Sequence, residues 1–280
     1  MALDRVPLDL PPPPGGDLSP DAAIARFRKA GFLDPRSARS TWTELLEALP
    51  LGNPFRATLG ETWRTMARSA DPDLALRRWS RWVEADLGSR AAGEGDPRAR
   101  RWAESPTFRE AFLLIAGVSP ALAEELERSW EAFEPEKWQA GGWETGASME
   151  ARLRPYLDLP LVREEDAFAE QLRRFRRHEE LRIAYLDECR LLPVDAVTLQ
   201  VSWLAAAVIA AALARARAET LRRLGLPVVP PDAPILGFTV LALGKLGSEE
   251  LNYSSDIDLF FLGDEAGPGD APVEVREQYF

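Results

Sequence analysis

The chain has 280 residues and a mass of 31.1 kDa, enough for one large domain or two modest ones with a sizeable core. Hydrophobic residues make up 46% and charged residues 28%, a balance that excludes disordered and fibrous classes. The 45 acidic residues against 34 basic ones give a net charge of −11, which argues against a non-specific hold on a nucleic-acid backbone and leaves room only for a small, locally basic nucleotide site. Cys189 is the single cysteine and His178 the single histidine. No disulfide framework or cysteine-rich zinc site is therefore expected, and any metal would rely on carboxylates, which points to a hard ion such as magnesium. His178 sits in the run Arg173-Arg174-Phe175-Arg176-Arg177 and reads as a solvated helical residue.

Residues 1–18, with Pro11 to Pro14 and Gly15-Gly16, read as a flexible arm without the basic-then-apolar pattern of a signal peptide. An all-helical module is expected over residues 19–229. Ser19-Pro20, Ser105-Pro106 and Ser119-Pro120 are helix starts, with a hydroxyl cap and proline in the first turn, and Asp96-Pro97 is a weaker one. Leu74, Leu76, Trp79, Trp82, Val83 and Leu87 recur mostly at steps of three and four, as one buried helical face requires, and most of the tryptophans fall on such faces. From Glu164 to Leu226 the pattern predicts long helices broken near Leu192-Pro193 and Gly225. The most apolar stretch, Val197 to Ala214, is interrupted by Thr198, Gln200 and Ser202. Its uninterrupted part falls well short of the ~20 residues of a spanning helix, so it reads as the core helix of a cytoplasmic protein.

After Pro230-Pro231-Asp232-Ala233-Pro234, a linker, the character changes. Ile235 to Leu243 and Ile257 to Leu262 are rich in strand formers, so residues 230–280 open an α/β module, with a further helix expected over Val273–Phe280. The stretch from Leu243 to Phe261 reads as strand, glycine turn, short helix and strand. Asp256 and Asp258, two apart in the second strand, would put both carboxylates on one face, where a divalent cation relieves their repulsion. Gly247-Ser248 lets the backbone approach a ligand closely, and amides at a following helix start would suit a phosphate. Neither a Walker A loop nor a G-x-G-x-x-G fingerprint is present.

Gly-Ser followed closely by Asp256-Ile257-Asp258 between apolar residues resembles the polymerase-beta-like nucleotidyltransferase superfamily. The longer string Gly244-Lys245-Leu246-Gly247-Ser248-Glu249-Glu250-Leu251-Asn252-Tyr253-Ser254-Ser255-Asp256-Ile257-Asp258-Leu259 resembles the bifunctional glutamine synthetase adenylyltransferase/adenylyl-removing family. The helix Leu172–Arg177 with Leu181-Arg182-Ile183 is similar to the one preceding that family's palm. The resemblance implies a mainly α module followed by the start of an α/β (α+β) palm, incomplete at its C-terminus. It also implies transfer of AMP to or from a tyrosine of glutamine synthetase, this portion being most like the adenylyl-removing, phosphorolytic module. Asp256 and Asp258 would be the catalytic, Mg2+-holding pair, and Gly247, Ser248, Lys245 and Asn252 would face the nucleotide. Lys245 reads equally as a solvated charge at a strand end. Glutamine synthetase, ATP or ADP with phosphate, and a nitrogen-signalling protein are the implied partners, with no nucleic acid and no membrane. The isolated 280-residue chain, with its palm cut short, is expected to be silent. Another polymerase-beta-like transferase, or a non-catalytic helical protein-binding fragment, are the alternatives.

Overall fold

Among the described residues eight helices begin with a proline, whose missing N–H and fixed φ suit the first helical position. They are α1 (Pro20–Lys29), α2 (Pro35–Ala48), α3 (Pro54–Ala57), α5 (Pro72–Ala91), α6 (Pro97–Glu104), α7 (Pro106–Ala116), α8 (Pro120–Ser129) and α9 (Pro135–Gly141), with α4 (Leu59–Met66) between the third and fourth. In several the preceding side chain accepts an otherwise orphaned N–H: Asp34 from Ser37 at 3.1 Å, Asn53 from Phe55 at 2.9 Å and Ser105 from Phe108 at 2.9 Å. These starts include the four expected ones. The computed structural model describes residues 19–91, 97–141, 145–157, 165–189, 191–227 and 238–263. The expected arm (1–18), the linker (230–234) and the helix over 273–280 lie outside them.

The described residues up to 140, together with 184–191, form one compact unit. Its core is aromatic: Trp63, Trp79, Trp102, Phe55, Phe108 and Phe112 are at most 1% exposed. Trp63 stacks on Phe32 with centroids 5.4 Å apart and meets Trp42 edge-on, while Trp82 lies 5.0 Å from Phe112. Such pairs add about 1 kcal/mol each beyond the area they bury. The indole N–H of Trp102 finds a partner in Thr58 Oγ1 at 2.9 Å, so that ring is buried without an orphaned donor.

The second unit comprises the described residues 141–183 and those from 192 onward. It holds α10 (Gly146–Leu157), most of α11 (Glu165–Glu188), α12 (Val194–Arg223), the strands β1 (Phe238–Ala242) and β2 (Leu259–Gly263), and α13 (Gly244–Gly247). The long helices and the break at Leu192-Pro193 fall where the sequence places them. Val197, Val201, Leu204, Ala207 and Ala211 of α12 pack with Met149, Leu153, Phe168, Leu172 and Phe175 of α10 and α11. By length and composition α12 is the one helix among the described residues that could cross a bilayer. Here one of its faces is the centre of a core.

A buried polar cluster ties α10, α11 and α12 together. Arg182 donates to Glu179 Oε2 at 2.8 Å and to Gln200 Oε1 at 2.6 Å, and Arg152 donates to the same Glu179 oxygen. Burial alone would raise the Glu179 carboxyl; His178, Arg182 and Arg152 together hold it below the usual carboxylate range. The expected solvated His178 is half-exposed, with Nδ1 3.7 Å from Glu179 Oε1.

β1 and β2 pair antiparallel, with Val240 opposite Phe261 and Ala242 opposite Leu259. The second strand begins two residues later than the Ile257 start the sequence suggests, and the aspartates lie on its approach rather than inside it. The ladder bonding does extend slightly further, since Leu243 N–H donates to the Asp258 carbonyl at 2.9 Å. Thus the described chain is mainly helical, with one small two-stranded sheet.

Candidate functional site

The connection from β1 to β2 is built around two glycines. Gly244 opens α13 at φ +56°, a left-handed turn that a side chain would strain. Gly247 closes α13 with its Cα directly over the Ala242 carbonyl: a Cβ there would stand 2.5 Å from that oxygen, inside any real contact. Within the fold, this glycine permits a close approach to β1. The expectation of a helix beginning after Gly247-Ser248 is not met. α13 ends there, and the two amides donate to the carbonyls of Leu243 (3.1 Å) and Gly244 (3.2 Å). Leu246 of α13 and Leu251 after it both sink into the second unit's core.

Lys245, on the exposed side of α13, donates from Nζ to Asn252 Oδ1 at 3.1 Å and to Ser255 Oγ at 3.4 Å. Ser255 also bonds Asn252, through its hydroxyl to Oδ1 and through its N–H to the backbone carbonyl. The ammonium is thus held by neutral side-chain oxygens. The Ser248 hydroxyl leans back on the Gly244 and Lys245 carbonyls, each at 3.3 Å. The Asp258 carboxylate lies over Gly244: an added Cβ would be 3.6 Å from its Oδ2. Asp256 and Asp258 are both exposed. Lys245 and Asn252 are in contact, and Asp258 meets the start of α13. Tyr253 is 39% exposed.

The donor set is two exposed carboxylates of hard oxygen. That suits magnesium, which commonly takes one or two protein carboxylates and completes its shell with water and substrate phosphates. No group of three or more His, Cys, Asp or Glu side chains gathers among the described residues. Cys189 offers no nucleophile: burial, with Glu110 nearby, pushes its thiol up to about 12.

Sequence reasoning missed two residues. Ser255, which completes the Lys245–Asn252 cluster, was within reach, since Asn-x-x-Ser is a common turn-closing pattern. Ser202 of α12 receives the Leu251 N–H at 3.0 Å and carries no such signal; it registers only as a polar break in an apolar run.

Residues 110–280 match the glutamate-ammonia ligase adenylyltransferase family, and the chain belongs to that family. It is similar to the bifunctional glutamine synthetase adenylyltransferase/adenylyl-removing enzyme of Streptomyces coelicolor, with 30% identity over 264 residues, and to that of Streptomyces avermitilis, with 32% over 266. Each match covers 91% of this chain and 23% of the relative, so the chain spans about a quarter of the length of these curated relatives.

Proposed function

We propose that this chain carries the helical support and the opening strands of a nucleotidyltransferase palm, in an enzyme that moves AMP to or from a tyrosine of glutamine synthetase. The removing, phosphorolytic direction is the one its motif most resembles. The observation that carries the reading is the β1–α13–β2 turn, which gathers Lys245, Asn252 and Asp258 at one end of a ladder, within the span that matches the family.

In this reading Asp256 and Asp258 hold Mg2+. When bound, the ion offsets charge on the phosphate oxygens. The Lys245 ammonium, fixed by Asn252 and Ser255, offers a positive charge to the same phosphates, and Ser248 offers a hydroxyl. In phosphorolysis an oxygen of inorganic phosphate attacks the α-phosphorus, the bond to the tyrosine oxygen breaks, and the phenolate takes up a proton; the products are ADP and unmodified tyrosine. The adding direction is a separate reaction: the tyrosine oxygen attacks the α-phosphorus of ATP, the bond between the α- and β-phosphates breaks, pyrophosphate leaves and the phenol proton is released. The implied setting is the cytoplasm, with ATP or ADP, phosphate and a nitrogen-signalling protein as further partners.

Metal binding and transfer are tested together. The chain is titrated with Mn2+, and an enzyme that carries this chain together with the rest of the palm is incubated with adenylylated glutamine synthetase, Mg2+ and phosphate. Asp256→Asn with Asp258→Asn is expected to abolish ion binding without unfolding the chain, because it removes two like charges. Equal Mn2+ affinity in the double variant would sink the site. Release of ADP marks the removing direction, and labelling of the synthetase from ATP marks the other. A chain that binds the synthetase but no ion would favour the helical protein-binding alternative.

A further inference from the structure

We infer that Ser202, on α12, is the positioning residue of this site: a buried hydroxyl that fixes where the motif loop sits. The inference rests on the proposed reading of that loop. Ser202 is 2% exposed, and its hydroxyl makes two bonds of opposite sense. It donates to the Thr198 carbonyl one turn back, at 2.9 Å, and accepts the Leu251 N–H, 49 residues away in sequence, at 3.0 Å. A hydroxyl has a single proton. With that proton committed to Thr198, the rotor is set and a lone pair is turned toward Leu251. The back-bond inside the helix orients the acceptor that the loop uses.

The other hydrogen bonds described for this loop stay within residues 242–258: Lys245 with Asn252 and Ser255, Ser248 with Gly244 and Lys245, Glu250 N–H with the Lys245 carbonyl, and Leu243 with Asp258. They shape the loop but do not place it on the helices. Leu246 and Leu251 join the loop to the core through non-directional contacts, and the Ser202–Leu251 bond adds a directional one. Leu251 directly precedes Asn252, so a shift at its amide moves the Lys245 anchor first and the aspartate approach next. Ser202 touches no reacting group; it acts through the backbone of Leu251.

The test uses the 280-residue chain. In Ser202→Ala the Leu251 N–H is left buried without its acceptor, and its amide exchange is expected to accelerate about tenfold or more while far-UV helicity stays unchanged. Mn2+ affinity is expected to fall about threefold to tenfold through the loosened loop. Ser202→Thr keeps the hydroxyl and is expected to bring both values back to within about twofold of the parent. Val201→Ala removes buried methyls one residue away without touching the bond; it is expected to lower overall stability and leave Mn2+ affinity in place. Should Ser202→Ala not fold, Ser202→Cys keeps the volume with a weak acceptor and is read on the same two measurements. Unchanged Leu251 exchange in the Ala variant overturns the inference. So does a Val201→Ala variant that loses Mn2+ as strongly as Ser202→Ala. If the parent chain binds no Mn2+, the metal reading of Asp256 and Asp258 fails, and the clamp is decided by Leu251 exchange and its rescue by Thr.

Discussion

The two compact units use their large apolar residues in different ways. The first hides them: Trp63, Trp79 and Trp102 are at most 1% exposed and touch one another through a chain of ring contacts. The second hides Phe168, Phe175 and Leu204 among its helices but leaves its ribbon bare, with Phe260, Phe261, Leu262, Leu241 and Leu243 more than two-fifths exposed. Beside the inner face of that ribbon runs an open apolar groove of about 310 Å³, lined by Trp203, Ala206 and Leu213 of α12 and by Val240 and Leu259. The first unit's aromatics therefore serve stability. The ribbon's aromatics contribute little to the fold described here, and the chemistry-bearing residues sit next to them, where packing demands least.

Three substitutions sharpen this contrast, taken from the largest expected effect downward. Trp79→Ala, at the centre of the ring network, is expected to lower unfolding stability by about 4 kcal/mol, measured by urea denaturation. A loss below about 1 kcal/mol would mean that the aromatic core is not where the first unit's stability lies.

Glu179→Gln leaves two arginines facing a neutral partner, and a loss of about 3 kcal/mol is expected in the second unit. The same group sets a pH dependence. Its carboxyl is held below its unfolded value of about 4.3, so its contribution is fully present above that pH and is lost as pH falls through the lower folded value. Stability of the parent minus that of Glu179→Gln, followed from pH 6 downward, should shrink only below about pH 4.3; a difference that is flat to pH 2 contradicts the assignment.

Phe260→Ser, on the ribbon's outer face opposite Leu241, is expected to change stability by less than about 0.5 kcal/mol while raising the solubility limit. A large loss of stability would show that this face is already covered.

The sequence made the helical regions legible because their signals are local. A cap followed by proline and a three-four recurrence of apolar residues are both read within one turn or two, and α1, α6, α7 and α8 begin where such signals stand. Asp34-Pro35, Asn53-Pro54 and Asp71-Pro72 carry the same signal and also open helices. The division of the helical span between two units had no local mark, since it depends on which distant faces meet. At the site, the residue types were legible but their geometry was not. Gly247 looked like a ligand-facing glycine, whereas the obstacle that requires it is the Ala242 carbonyl of the strand before. Ser202 was invisible for the same reason: its partner lies 49 residues away.

Three consecutive positions of α12 face three different neighbours. Gln200 receives Arg182, Val201 lies in the aliphatic core, and Ser202 receives the Leu251 amide. Each residue turns a helix by about 100°, so a single insertion ahead of Gln200 would rotate all three away from their neighbours at once. A substitution along α12 disturbs one of these contacts at a time. A change in its length disturbs all three, and the angular phase of this helix, more than any one of its side chains, is what this part of the chain must preserve.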